Sequence, residues 1–269
     1  MEGLDLRVGA SIWGFYSGQP RSTWPSLADA VRSILSVDAS LGVEVWATKS
    51  IDLPAADRDE LDALIDACRA AVFVTVHVRG MFWYWDPAKL RDELDFAHSV
   101  GAGTLVVHPV CFGLKRPGDR IDAAEVRRIA EYGAARGVRI ALENVRDSIW
   151  ILDHVLEEIG DDPDETNLGV CLDFGHAHLS CDAGREPVTA YLDRYAGVLI
   201  HLHVHDNAGA RDEHLVPGDG TIDWAQTLSS ISSQGYSGTA VLETHGGGSA
   251  PPAAIDRSLR ALRAFSSDA

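Results

Sequence analysis

Eight short β-rich runs, separated by longer stretches with helical spacing, leave few folds open to this chain. The runs are "RVGASIW" (7–13), "GVEVW" (42–46), "VFVTVHV" (72–78), "GTLVVHP" (103–109), "VRIALEN" (138–144), "LGVCLD" (168–173), "GVLIHLHV" (197–204) and "GTAVLE" (238–243). Segments such as "LADAVRSILSVDASLG", "DPAKLRDELDFAHSVGAG" and "DAAEVRRIAEYGAARG" lie between them and carry the apolar period of a helix lying on a core. Several open on Asp or Pro and close on Gly, as helix caps require. Parallel strands need a crossover connection, and eight strand–helix units close on themselves. The expectation is therefore a (β/α)8 TIM barrel, one domain over residues 1–269, in a chain whose 46% apolar content can fill one large core. An open doubly wound sheet is the alternative, but no GxGxxG follows the first strand.

The charge narrows the partners. Forty acidic residues against 23 basic ones give a formal charge of −17, a field that opposes a polyphosphate such as DNA. No segment stays apolar for the ~18 residues of a membrane span, and "MEGLDLRVGA" places charges where a signal peptide would be apolar. A cytoplasmic protein with no membrane partner is expected. Cys68, Cys111, Cys171 and Cys181 form no CxxC pair and are expected to be thiols.

In such a barrel the active site lies at the carboxyl ends of the strands. The third strand ends with His77, the fourth with His108, the fifth with Glu143, the sixth with Asp173, the seventh with His203 and the eighth with Glu243. A single histidine there is ordinarily a satisfied core residue. Six ionisable groups converging on one mouth would be costly to bury unpaired, and a divalent cation would compensate them.

The fragments "VVHPV", "IALENV", "CLDFGH", "HLHVHDNAG", "HLVPGDGTIDW" and "VLETHG" resemble, in order and placement, the xylose-isomerase-like TIM-barrel superfamily of sugar and sugar phosphate isomerases and epimerases. That superfamily also includes the three-zinc apurinic endonucleases, and the resemblance covers nearly the whole chain. It implies that Glu143, Asp173, His203 and Glu243 hold one divalent ion, an oxygen-rich set suited to Mn²⁺, Mg²⁺ or Co²⁺ and tolerable for Zn²⁺. It implies Glu143 and Glu243 as catalytic groups that exchange a proton across a metal-bound enediolate: removal by one and return by the other inverts a carbon, and relay between carbons isomerises the sugar. Dehydration at the same site is an alternative outcome. Nine positions, His77, His108, Glu143, Asp173, His176, His203, Asp212, His214 and Glu243, resemble the complete ligand set of the three-zinc endonucleases, so up to three ions and phosphodiester hydrolysis form the rival reading. A barrel that binds sugar without turnover is a third, disfavoured by the intact carboxylate pair.

The three alternate histidines of "LIHLHVHDNAG" point one way along a strand. With His203 as ligand, His201 lies one layer deeper and His205 one layer nearer the mouth, where relatives often carry Lys or another polar residue; there it contacts substrate, orients a water or faces solvent. His176, His205, Trp13, Trp46 and Arg211 are the expected contacts for a small sugar or polyol. Phe15, Tyr16 and the "RGMFWYWDP" loop, with Phe82, Trp83, Tyr84 and Trp85, add aromatic surface for a sugar face or equally for a homo-oligomer contact. Arg79, Arg146, Arg211 and Lys115 are either a phosphate grip or ordinary surface charge.

Overall fold

The computed structural model describes residues 6–48, 56–78, 85–116, 118–145, 149–179, 187–245 and 250–267. Eight parallel strands close into a barrel in sequence order: β1 (Arg7–Ser11), β2 (Gly42–Val45), β3 (Val74–His77), β4 (Thr104–Val107), β5 (Arg139–Glu143), β6 (Leu168–Asp173), β7 (Leu199–Val204) and β8 (Thr239–Leu242). The ring shuts where Val8 of β1 pairs with Ala240 of β8, which excludes the open sheet. Each strand falls inside its expected run. β2, β3 and β8 are buried along their whole length, the pattern of parallel strands covered on both faces.

Helices α1 (Leu27–Val37), α2 (Arg58–Cys68), α3 (Pro87–Ser99), α4 (Ala123–Ala134), α5 (Ile149–Ile159), α6 (Pro163–Thr166), α7 (Phe174–Leu179), α8 (Val188–Tyr195), α9 (Trp224–Ser233) and α10 (Pro251–Ser267) are arranged around the barrel. Local chemistry sets their starts. Ser26, Asp57, Asp86, Asp122 and Asp223 each accept a hydrogen bond from the backbone N–H three residues on, a cap worth ~1 kcal/mol apiece. Cys68, Cys111 and Cys171 are buried free thiols; Cys181 lies outside the described residues. No helix among the described residues is long and apolar enough to cross a membrane.

Strand alternation decides what the barrel encloses. At the amino-terminal end the Phe73 ring lies against Gly42, where a Cβ would come within 2.3 Å of it. Higher up, Val106, Ala141 and Cys171 form a small apolar group in the interior. One step of two residues further along these strands places His108, Glu143 and Asp173. On these three strands apolar filling thus gives way to polar side chains over a single step.

The long connection after β7 is fixed by one carboxylate. Asp206 is fully buried; its Oδ1 accepts from the N–H groups of Asn207 (2.8 Å) and Ile222 (3.2 Å), and its Oδ2 from Gly218 N–H (2.8 Å) and Trp224 Nε1 (2.8 Å). A backbone bridge to Leu215 completes the clasp. Gly220 is required by close approach, because a Cβ there would stand 2.2 Å from Asp206 Oδ1. The "VPGDGTIDW" sequence is therefore a scaffold that holds Asp212 and His214 over the mouth. Asp206→Ala would orphan four buried donors and should lower stability by ~3–5 kcal/mol in urea unfolding; a loss below ~1 kcal/mol would show that other contacts hold the loop.

Candidate metal centre

The residues expected at the strand ends meet in one place. Glu143, at the end of β5, faces four imidazoles: its Oε2 lies 3.1 Å from His77 Nε2 and 2.9 Å from His108 Nε2, and its Oε1 lies 3.3 Å from both His203 Nδ1 and His176 Nδ1. His203 Nδ1 also looks at Glu243 Oε2 (3.5 Å) and Asp173 Oδ2 (3.8 Å). Asp173 and His203 are register partners on β6 and β7, so their side chains leave the sheet on the same face. Glu143, Asp173, His203 and Glu243 are all buried.

Donor atoms gather into overlapping groups, each within 4.8 Å: Glu143, Asp173, His203 and Glu243; His77, His108 and Glu143; and His176, His205, Asp212 and His214. Cys171 and His201 with His203 make a further group deeper in the barrel. Asp212 Oδ2 lies 3.2 Å from both His176 Nε2 and His214 Nε2. His214 adopts a left-handed backbone (φ 47°), a conformation that costs energy in a residue with a Cβ and clusters at functional sites.

The hydrogen bonds test whether a cation belongs here. His77 Nδ1 lies 3.0 Å from the Val78 carbonyl, His176 Nδ1 3.0 Å from the Asn144 carbonyl and His214 Nδ1 2.8 Å from the Glu243 carbonyl. A carbonyl only accepts, so each Nδ1 carries the hydrogen. The Nε2 lone pair of the neutral ring then points at a carboxylate oxygen, acceptor against acceptor. Either a proton or a metal ion must lie between them. The residues fit a divalent ion on that ground.

Without an ion, protons take this role. Burial works against charge on His77, but its hydrogen bond to Glu143 and the fields of Glu143 and Glu44 prevail and push its pKa up to about 9. Burial likewise opposes the Glu143 charge, and His203 and His108 hold its carboxyl well below the usual range. The Asp173 carboxyl is held down in the same way by His176 and His205. Burial pushes the Glu243 carboxyl up to about 7, against His203 and with the charges of Glu44 and Glu143 adding to it.

Two tryptophans wall one side of the mouth. Trp13, after β1, stacks on Trp46, after β2, with centroids 6.4 Å apart and planes 12° apart, and Trp46 stacks on His77 at 5.0 Å. Phe15 and Tyr16 do not share this wall. They are buried in the core, where the Tyr16 hydroxyl donates to the Ser26 carbonyl. Arg211 and Lys115 are exposed. Arg79, Phe82, Trp83, Tyr84 and Arg146 lie outside the described residues.

His205 is fully buried, with Nε2 3.0 Å from Asp173 Oδ2 and its ring stacked on His214 at 3.8 Å, so it does not face solvent. Gly175 makes the room, since a Cβ there would fall 1.9 Å from the His205 ring. His201 lies deeper, its Nδ1 2.7 Å from Thr239 Oγ1. Two further residues belong to the site although strand ends alone do not reveal them. His245, two residues beyond Glu243, packs its ring 4.1 Å from Trp13 and 4.9 Å from His214. Glu44, in the middle of β2, is completely buried beneath His203; the sequence signal for it is a carboxylate two residues before Trp46 on the inward face.

Residues 40–265 match the family model described as xylose isomerase-like TIM barrel. The chain belongs to that family. A protein of Methanocaldococcus jannaschii is 31% identical over 57% of this chain and 55% of its own length. Fructoselysine 3-epimerase of Shigella flexneri is 26% identical over 57% of this chain and 56% of its own, so the chain spans about half the length of the curated relatives it matches. The structure of L-ribulose 3-epimerase superposes with a TM-score of 0.73, 15% identity, and coverage of 98% and 96% of the two chains; at that identity the likeness shows the fold. Sugar epimerases thus recur among the family member's relatives and neighbours.

The protonation pattern has a measurable consequence. His77, with its pKa raised, gives the ion-free protein stability that is complete below the ordinary imidazole value and lost as pH rises through about 9. Glu143 and Asp173, with theirs lowered, give stability that is present above the ordinary carboxylate range and lost in acid. A metal replaces the bound protons, so the rise in Tm on adding Mn²⁺ should grow between about pH 6 and about pH 8.5. An increment that shrinks over that interval would contradict this ligand chemistry.

Proposed function

We propose that this protein is a divalent-metal-dependent sugar epimerase or isomerase that moves a proton at a carbon beside a carbonyl. The observation that carries the reading is the pair of buried carboxylates, Glu143 from β5 and Glu243 after β8, which converge on one imidazole nitrogen at 3.3 and 3.5 Å. The names of family relatives and structural neighbours support a ketose as substrate, fructoselysine 3-epimerase and L-ribulose 3-epimerase among them.

Glu143, Asp173, His203 and Glu243 would hold the ion. Mn²⁺, Mg²⁺, Co²⁺ or Zn²⁺ in that position would supply Lewis acidity to adjacent carbonyl and hydroxyl oxygens, making the C–H between them more acidic. The remaining work falls to the chain. Glu143 ends β5 and Glu243 follows β8, and a substrate held between them would present one face of its carbon to each. Removal of the proton at one carboxylate oxygen and return from the other inverts that carbon. The Trp13 and Trp46 wall stacks on the apolar C–H surface of the sugar and excludes water from that side. His176, its Nδ1 held by the Asn144 carbonyl, would meet a substrate hydroxyl through Nε2, the nitrogen that faces Asp212.

Glu143→Gln and Glu243→Gln should each slow exchange of the substrate C–H proton with deuterated solvent by ~10²-fold or more, with the fold intact by circular dichroism. Near-normal exchange in either variant would remove that residue from the mechanism.

The two flanking donor groups favour one second reading, hydrolysis of a phosphodiester by three ions. Its weakness is the formal charge of −17, which repels nucleic acid. Elemental analysis separates the two. One tightly held ion per chain and no duplex binding at physiological salt are expected; three ions per chain with salt-sensitive DNA binding would reverse the ranking.

A further inference from the structure

Glu44 lies outside the group that would bind the ion, yet its carboxylate is built into the barrel interior. It sits mid-strand on β2 with no exposure. Its Oε2 lies 3.2 Å from His203 Nε2, 3.1 Å from Thr75 Oγ1 on β3, and 3.6 Å from His201 Nε2 on β7. Its Oε1 has no hydrogen-bond partner among the described residues. A buried carboxylate with a half-satisfied head is expensive.

The His203 ring explains it. Nδ1 faces Glu143, Glu243 and Asp173, and Nε2 faces Glu44. An ionised carboxylate accepts only, so it fixes the ring hydrogen on Nε2 and leaves the Nδ1 lone pair bare toward the three carboxylates. His77, His176 and His214 are backed by neutral main-chain carbonyls. His203 is backed by a charge, which makes its donor nitrogen the more basic. We propose that Glu44 is a positioning residue that sets the tautomer and basicity of His203, so that the Glu143, Asp173, His203 and Glu243 group takes a divalent ion ahead of the two flanking groups. The inference rests on the reading that this four-residue group binds metal.

The mechanism specifies how variants differ. Glu44→Met removes the acceptor at similar volume, and an apolar replacement of a buried charge is often neutral or stabilising. Glu44→Gln keeps an oxygen that can accept from Nε2 but removes the charge, and a neutral hydrogen bond is roughly half as strong. The first ion should therefore bind ~10- to 100-fold more weakly in Glu44→Met, with Glu44→Gln in between at ~3- to 10-fold. The weaker flanking sites should keep their affinity in both.

The test is a Co²⁺ titration of chelator-stripped protein, followed by the visible absorption of the bound ion and by competition with a chelator, for wild type, Glu44→Gln, Glu44→Met and His203→Ala. Tm of the ion-free proteins checks the fold. Wild type should show one tight site that His203→Ala removes, and the Glu44 variants should weaken that site in the stated order with a shifted visible spectrum. If every folded Glu44 variant keeps wild-type affinity and spectrum while His203→Ala loses the site, Glu44 has no positioning role and the metal reading survives. If wild type shows no tight site, or His203→Ala retains it, the metal reading fails and takes the inference with it.

Discussion

The confrontation of lone pairs at the carboxyl end of the barrel governs the rest of the site. Main-chain carbonyls behind His77, His176 and His214, and the Glu44 carboxylate behind His203, fix the ring hydrogens on the far side of each imidazole. The near nitrogens then meet carboxylate oxygens, acceptor against acceptor, unless a proton or a cation lies between them. In a low-dielectric interior that arrangement is unfavourable by itself. The fold imposes it nonetheless: strand alternation turns Glu44, His77, Glu143, Asp173 and His203 inward, the start of α7 brings His176, and the connection after β7 brings His214. Positive charge, as a proton or an ion, answers that need: burial opposes charge on every ring, the carboxylates prevail at His77, His176 and His203 and raise their pKa, and burial prevails at His108 and His214, which stay below the ordinary imidazole value.

The scaffold below and around the site is built to withstand this. Small apolar side chains, Val106, Ala141 and Cys171, lie in the barrel interior one alternation below His108, Glu143 and Asp173. Asp206 clamps the connection after β7 with four hydrogen bonds, which keeps Asp212 and His214 in position although His214 adopts a strained backbone. Rigid strands supply the carboxylates, and the loop that supplies the remaining donors is made rigid by a buried charge. Preorganisation of this kind suits a reaction in which a proton must pass between fixed oxygens.

Much of this was legible in the sequence because it depends on short-range periods. Strand positions follow from apolar runs, helix starts from Asp and Ser caps, and the polar strand ends from residues that break an apolar pattern. Glu44 escaped that logic: Trp46 occupies the end of its run, and only the two-residue step back along the inward face exposes the carboxylate. His205 looked like a mouth residue by strand position alone, but its burial depends on Gly175 and on the His214 ring arriving from a distant loop. Phe15 and Tyr16 read as surface aromatics, and their core packing is set by the turn to α1. The short helices α6 and α7 carry too few apolar positions for periodicity to reveal. In each case the deciding contact is between segments far apart in the chain.

A crystal of the protein grown with Mn²⁺, with diffraction recorded near the manganese absorption edge, would locate the charge that these side chains demand. An anomalous peak bounded by Glu143, Asp173, His203 Nδ1 and Glu243, at the ~2.1–2.2 Å expected for oxygen and nitrogen ligands, is the predicted result. Absence of a peak there at full Mn²⁺ saturation, with the four side chains in their present contacts, would show that protons alone neutralise the cluster and would contradict a metal-dependent site.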